Sequence, residues 1–595
     1  MLHVSLMCMR LFLIVLFGCS SIFAACSPSY SLYGQPKYKE GFKHFAYVNP
    51  NAPKKGSLSQ HSVGSFDSFN QFIPFGIPAS GLTLLYDTLM VTSEDEPDSL
   101  YGLVAQCVEL ADDKKSISFT LNPNARFNDG AVINASDVVW TFNQLNTKGD
   151  PRYKLYFRDV DQVKVKDDHQ VTFYLKRPFN RDLVFFIGTL PVFSKSFWQS
   201  HDFSKSGLVE PIGSGPYLIK DYKLNGFIRY ERVKNYWAEN HPTRKGMFNF
   251  DELKWVYFKD DTVAFEGFKS HLYDLRIEHR SKLWVTGYNG PALTSGEIIK
   301  EEINNREAQG MQGFVFNLRR PMFKDRAVRK AIAMAFDFHW VNDQLLYSQY
   351  QRATSFFNNS DLSSTPIIPS KEAVIYKELQ NPLPSQFFDE PMYVVDPENE
   401  AQMRAQLLEA SAILDQAGWK IKDGIRVNKR TGERLAFDIL IIQPSFERII
   451  LPYQEHLKRL GVEVRVRKVS PSDYIHRLRN FDYDMTTYVF DTHFTPGNEL
   501  YDYWSSTSAK ISGSSNIAGL ENKSVDEMVK LAIQSKSREE LQDRIRALDR
   551  YLMWEQIVVP QWYLDVYRVA YWNHFKRPRV SPAYDLGLMT WWHTS

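Results

Sequence analysis

Two spacings of apolar residue alternate along this chain of 595 residues. Leu435, Phe437, Ile439 and Ile441 fall at every second position and predict a strand. Ile450, Tyr453, Leu457 and Leu460 then fall three and four apart, the mark of a helix, which Gly461 closes. Val462, Val464 and Val466 return to every second position. Strand, helix and strand on such short links predict a right-handed crossover with parallel pairing. Upstream, Met403, Leu407, Ala410 and Leu414 give Glu400–Ala417 one apolar face, stopped at Gly418. Asp423-Gly424 reads as a hairpin turn.

The same grammar runs earlier in the chain. Phe314, Val315 and Phe316 predict a buried edge strand, and Pro321 ends any ladder because it lacks an amide donor. Asp325 is placed to cap a helix facing inward through Val328, Ile332, Ala335 and Phe336. A helix is predicted over Leu82–Leu89, and another after Asp260 with apolar Val263, Phe265 and Phe268, ending in a Tyr-Asp-Leu strand. Asn128-Asp129-Gly130 is a turn, and Asn134 with Asp137 three residues on is close to a capping box. No tandem repeat is visible.

At 595 residues the chain exceeds one core and should divide into about three or four units. Hydrophobic and charged contents of 44% and 24% are those of a globular protein, and a net charge of +2 points to no nucleic-acid partner. The 31 Tyr, 13 Trp and 41 Phe are enough to fill cores and also line a ligand cleft.

Residues 1–25 read as an export signal: Leu11–Phe17 is an apolar run, and Ala24-Ala25 offers a small-residue cleavage site. No later stretch approaches the ~20 apolar residues of a membrane span. Two fates follow. Leu16-Phe-Gly-Cys19 and Phe23-Ala-Ala-Cys26 place cysteine as a bacterial lipid-anchor motif does, although Phe17 and Phe23 fit that motif poorly. Cleavage after Ala24 or Ala25 instead leaves Cys26 and Cys107, which could pair in an oxidising compartment.

Catalytic motifs are missing. The sequence has no Gly-x-Ser-x-Gly elbow, His-Glu-x-x-His, Walker A loop or Cys-x-x-Cys. Ile212-Gly-Ser-Gly-Pro-Tyr217 lacks the lysine and helix of a phosphate loop and reads as a tight turn. No catalytic residue, metal or cofactor is therefore expected.

Phe316–Asp337, FNLRRPMFKDRAVRKAIAMAFD, resembles the signature of the family 5 extracellular solute-binding proteins, which serve peptide, nickel, haem and some sugar importers. Gly41–Ser57, Phe119–Leu145, Ile212–Tyr217 and Asp260–Leu275 continue the resemblance, and Val48–Asn51 is similar to the opening of that family's Yej-type oligopeptide branch. The resemblance implies an α/β two-lobe periplasmic binding protein of type II, cluster C, with an extra small domain and a hinge. It assigns 27–66, 200–308 and 555–595 to lobe I, 67–199 to the small domain packed on it, and 309–554 to lobe II. It also implies a monomer that passes oligopeptides, including modified ones such as peptide–nucleotide antibiotics, to an inner-membrane ABC permease. The alternatives are a sugar or metal-chelate receptor of the same fold, or a secreted hydrolase.

In that family the ligand lies between the lobes, its main chain paired with strands from both. Asp482–Pro496 falls where peptide binders carry a tryptophan and an aspartate that pairs with the peptide α-ammonium. Phe490 takes the tryptophan position, His493 the literal aspartate position, and Asp491 is the candidate anchor. Tyr488, Phe490 and Trp504 would be aromatic walls, or core. Arg352 heads a branch-like loop through Phe357 and Asn358, and either holds a ligand carboxylate or makes a structural ion pair. Phe75, Gly76 and Ile77 would approach the ligand backbone from the small domain, or simply form a turn.

Overall fold

The computed structural model describes residues 26–179, 181–392 and 396–594. The proposed export signal and Cys19 lie outside them. Sheets on either side of two chain crossings define two lobes. In the first, Ser57–Val63, Glu252–Phe258, Phe227–Arg232 and Tyr217–Lys223 form one sheet in that order, parallel only in the first pair. Ala105–Leu110, Ser116–Leu121, Gln170–Leu175 and Val160–Asp167 form an antiparallel sheet, covered by the helix Ala135–Lys148. One apolar core, from Phe45 to Trp591, joins both sheets. The second lobe is built on a mixed five-stranded sheet, in the order Glu463–Lys468, Ala436–Ile441, Met485–Phe490, Met311–Phe316, Val558–Pro560.

The alternating pattern folds as read. Ala436–Ile441 pairs in parallel with Glu463–Lys468, and the helix Glu447–Arg459 buries Ile450, Tyr453 and Leu457 between them. Gly418 takes φ +84°, the left-handed stop of the helix Glu400–Gln416. Asp423 and Gly424 both have positive φ and join strands paired Lys422 to Ile425. Asn134 and Asp137 complete the capping box: Asn134 Oδ1 accepts from Ser136 N at 2.9 Å, and Asp137 Oδ2 accepts from Asn134 N at 3.0 Å.

Some expectations change. Met311–Phe316 is no edge, because Met485–Phe490 and Val558–Pro560 flank it on both sides. Its helix stops at Ala333, so Ala335 and Phe336 are buried beyond the helical end. Leu82–Leu89 yields only the short 3-10 turn Leu82–Leu85. The Leu85 carbonyl accepts instead from Gly215 N at 2.9 Å, and a Cβ on Gly213 would stand 1.8 Å from that oxygen. The two glycines of the 212–217 turn are thus there for close backbone approach. Val263 is 48% exposed, since the helix Asp261–Lys269 faces inward through Ala264, Phe265 and Phe268.

The chain crosses between lobes after Asn304 and before Val566, the ends of two paired strands of the first lobe. Strand pairing keeps residues 558–563 with the second lobe, later than a return at 555. Cys26 and Cys107 form a disulfide with Cα atoms 5.4 Å apart, which occupies the sulfur that a lipid anchor at Cys26 would need.

Candidate functional site

Where the lobes meet, the strand Met485–Phe490 ends and the segment Asp491–Pro496 leaves the sheet. The first crossing passes directly beneath this strand end: a Cβ on Gly310 would lie 1.8 Å from the Phe490 carbonyl oxygen. Asp491 and His493 are exposed there. Tyr488 is half-buried, and its phenol is pushed up to about 12, chiefly by burial and next by the Asp491 charge. Burial likewise raises the Tyr503 phenol, with Tyr488 and Asp491 adding to it. An exposed carboxylate thus stands among phenols. Beside it, Thr492 keeps a buried hydroxyl without a hydrogen-bond partner.

The rest of this segment touches the first lobe. Phe494 packs its ring 4.8 Å from that of Tyr584 and lies under the Arg538 guanidinium at 4.2 Å. Arg538 donates to the Phe494 carbonyl at 2.7 Å and to Asp361 Oδ1 at 2.6 Å, and stands 3.9 Å from Asp98 across the gap. The Thr495 hydroxyl donates to Asp98, and Arg181 donates to the Ser535 carbonyl. Asp182 lies against Gly497. Burial pushes the Asp98 carboxyl up to about 6, with Arg538 opposing, and Asp182 also up to about 6, with Arg181 opposing and Glu499 adding.

Several residues expected at the ligand are employed elsewhere. Phe490 and Trp504 are each 2% exposed, packed 4.9 Å apart and against Phe356. They are core, not cleft walls, because Phe356 and each other's rings seal them inside the second lobe. Phe357 is buried in the same core. Asn358 is buried too: its Oδ1 accepts from Thr354 N at 3.0 Å and its Nδ2 donates to the Ser355 and Gly310 carbonyls at 2.5 and 3.2 Å. Arg352 makes the structural ion pair, with Nε 3.1 Å from Asp396 Oδ2 and Nη1 donating to the Pro560 carbonyl at 2.5 Å. The 352–358 loop therefore ties down the crossings rather than a ligand.

On the first lobe, Asp67 Oδ1 accepts from Ile77 N at 2.6 Å and Gly76 takes φ +80°. This turn presents Phe75 and Ile77 to solvent, at 64% and 54% exposure. Sequence reading missed Thr492, Asp98, Arg181 and Arg538. Thr492 lies inside the Asp482–Pro496 segment, between the candidates Asp491 and His493, whereas no local pattern marks the other three. Among the described residues no group of three His, Cys, Asp or Glu could hold a metal.

Two α/β lobes on two crossings, with an exposed carboxylate beside an orphan hydroxyl where they meet, define a two-lobe binding protein. The chain belongs to the bacterial extracellular solute-binding proteins of family 5, whose middle-region model matches residues 99–512. This is a family of binding proteins, not of enzymes. YejA of Escherichia coli K12 is 38% identical over 568 residues, covering 95% of this chain and 93% of that one. A protein of Agrobacterium fabrum, named as a probable peptide-binding protein YejA, is 37% identical over 572 residues, with 94% and 93% covered. The oligopeptide-binding protein AppA of Bacillus subtilis shares the fold at a TM-score of 0.67 and 19% identity, over 92% of this chain and 100% of AppA. Among the described residues no helix is long and apolar enough to cross a membrane.

Proposed function

We propose that this protein captures oligopeptides in the periplasm, in the gap between its lobes, and delivers them to an inner-membrane ABC permease. The observation that carries this reading is the exposed Asp491 carboxylate at the end of a sheet strand, beside Tyr488 and the unpartnered Thr492 hydroxyl. A peptide α-ammonium is the cation such a carboxylate would take, and the strand end supplies main-chain partners that suit any side chain. The name of the Agrobacterium relative supports the same class of ligand. Phe75 and Ile77 would cover the peptide from the first lobe. Closure is a population shift, since the ligand touches both lobes only when they are together. Release to a permease suits micromolar affinity, about −8 kcal/mol.

Calorimetry with a pool of short peptides, plain and N-acetylated, tests the reading. Binding of the plain pool is expected, and Asp491→Asn should weaken it by at least about a hundredfold, because a peptide laid over Asp491 would bury the ammonium and leave it without its partner. N-acetylation should cost as much in the unmutated protein. Unchanged affinity in the variant removes Asp491 from the site, and no binding of any peptide removes the reading itself. Native mass spectrometry of freshly purified protein would show whether the cargo is a plain or a modified peptide.

A further inference from the structure

Both crossings leave one small sheet of the first lobe. Its strands lie in the order Leu275–Ile277, Val566–Trp572, Ile298–Asn304. The crossings use only the last two strands, at the paired residues Asn304 and Val566. Adjacent strands are about 5 Å apart, a narrow footing that lets two lobes twist as well as open. An attachment one strand further along the row would double that footing.

The second lobe supplies one. Its helix Phe338–Leu345 is followed by Tyr347 and Ser348, at φ +62° and +55°. Two successive non-glycine residues in the left-handed region are strained, and persist only where their surroundings fix them. Asn342 fixes these. Its main-chain carbonyl accepts from Ser348 N at 2.7 Å, its Nδ2 donates to the Tyr350 carbonyl at 3.0 Å, and its Oδ1 accepts from Tyr350 N at 3.2 Å. Ser348 Oγ also donates to Asp343 Oδ1 at 2.7 Å. Gln351 and Arg352 then pair with Tyr563 and Trp562, just before the second crossing.

Between the strained turn and this pairing, Gln349 and Tyr350 reach the first lobe. The Tyr350 hydroxyl donates to the His279 carbonyl at 3.0 Å, two residues past the strand Leu275–Ile277. The Gln349 carbonyl accepts from Arg568 Nη2 at 2.6 Å, and the Arg568 guanidinium lies 5.0 Å from the centre of the Tyr350 ring. Glu278 N donates to the Arg568 carbonyl at 2.8 Å, so His279 and Arg568 stand on neighbouring strands. Arg568 is 1% exposed; its Nε and Nη1 have no hydrogen-bond partner, and Glu302 stands 3.8 Å from Nε. Among the described residues the Gln349 carbonyl is thus the one hydrogen-bond acceptor of this side chain. Releasing it would leave a buried cation with none.

We propose that residues 346–352 form a strap that acts as a third knuckle of the hinge and confines the lobes to a single axis of movement. Tyr350 and Arg568 are its positioning residues, and Asn342 holds the strap in the strained shape that lets it reach them. The proposal rests on the two-lobe fold and not on the peptide, so it and the function proposed above fail separately.

Spin labels in place of the exposed Lys223 of the first lobe and Lys429 of the second report the distribution of interlobe distances in ligand-free protein, by double electron–electron resonance. That distribution should be narrow, and should broaden in Tyr350→Phe, which keeps the ring and loses the bond to His279. Asn342→Ala, which frees the strap without altering the first lobe, should broaden it likewise. A strap that only stabilises the fold would lower the urea midpoint of these variants and leave the distribution as it was, and that result overturns the proposal. So does a distribution already broad in the unmutated protein, or loss of fold in both variants by circular dichroism.

Discussion

At the scale of single residues, the most consequential groups are buried charges that the fold has paired. Arg550 and Glu372 are each about 2% exposed, with Arg550 Nε and Nη2 at 3.0 and 2.9 Å from Glu372 Oε2. Removing one partner leaves the other unsolvated. Arg550→Met should therefore cost about 3–5 kcal/mol in urea unfolding, and adding Glu372→Leu should recover most of it. A small loss in the single variant would mean that water reaches Glu372. Asp549, also buried, is held by neutral donors instead: it accepts from Phe356 N at 2.6 Å, Ser355 Oγ at 2.8 Å and Ser364 N at 2.9 Å. Those bonds hold the 352–358 loop as structure, and they explain why Phe357 and Asn358 are unavailable to a ligand.

At the scale of elements, the strands at the lobe junction and the N-terminal segment matter most. Met311–Phe316 lies between two partners, and Asn359 Nδ2 donates to the Asn305 and Glu307 carbonyls at 2.7 and 3.0 Å, tying the first crossing to the second lobe. The N-terminal segment is secured differently. Ser27 pairs with Val108, and the disulfide Cys26–Cys107 spans a separation of 81 residues. Cys26→Ser with Cys107→Ser should cost about 2–4 kcal/mol, seen as a lower thermal midpoint. Reductant should lower the unmutated protein to the same midpoint and leave the variant unmoved. A midpoint unchanged by either treatment would show that the bridge does not hold the sheet.

At the scale of the whole molecule, the contacts across the gap carry a pH dependence. Asp98 faces Thr495 and Arg538 of the second lobe, with Glu96, Asp361 and Arg181 nearby; Asp182 faces Asn498 and Glu499, with Arg181 beside it. Burial raises both carboxyls to about 6, so the closed form binds protons more tightly than an open form that solvates them. Their contribution to closure is complete below the ordinary carboxylate value near 4 and is lost as pH rises through about 6. Ligand-free protein should therefore be more compact at pH 5 than at pH 7.5 by small-angle scattering. A radius of gyration that does not change over that range would refute this.

The sequence by itself determined the local grammar: which stretches alternate, which recur at helical spacing, and where caps and turns stop them. Ala436–Ile441, Glu447–Arg459 and Glu463–Lys468 were legible because burial repeats with the period of the element. The motif text likewise disclosed the family. Tertiary structure alone decided which aromatic residues are sealed: Phe490 and Tyr488 share a strand face, yet Phe490 is closed in by Phe356 and Trp504 from elsewhere in the chain, whereas Tyr488 stays half-buried. It also decided the fate of Leu82–Leu89, where the Leu85 carbonyl found Gly215 rather than a helical neighbour. Asp98 and Arg538 meet across more than four hundred residues of chain, as their numbering shows, and no local pattern encodes such an encounter. The physical reason is common to all three: periodicity records only that a side chain is buried, whereas its partner is chosen by packing between segments distant in sequence.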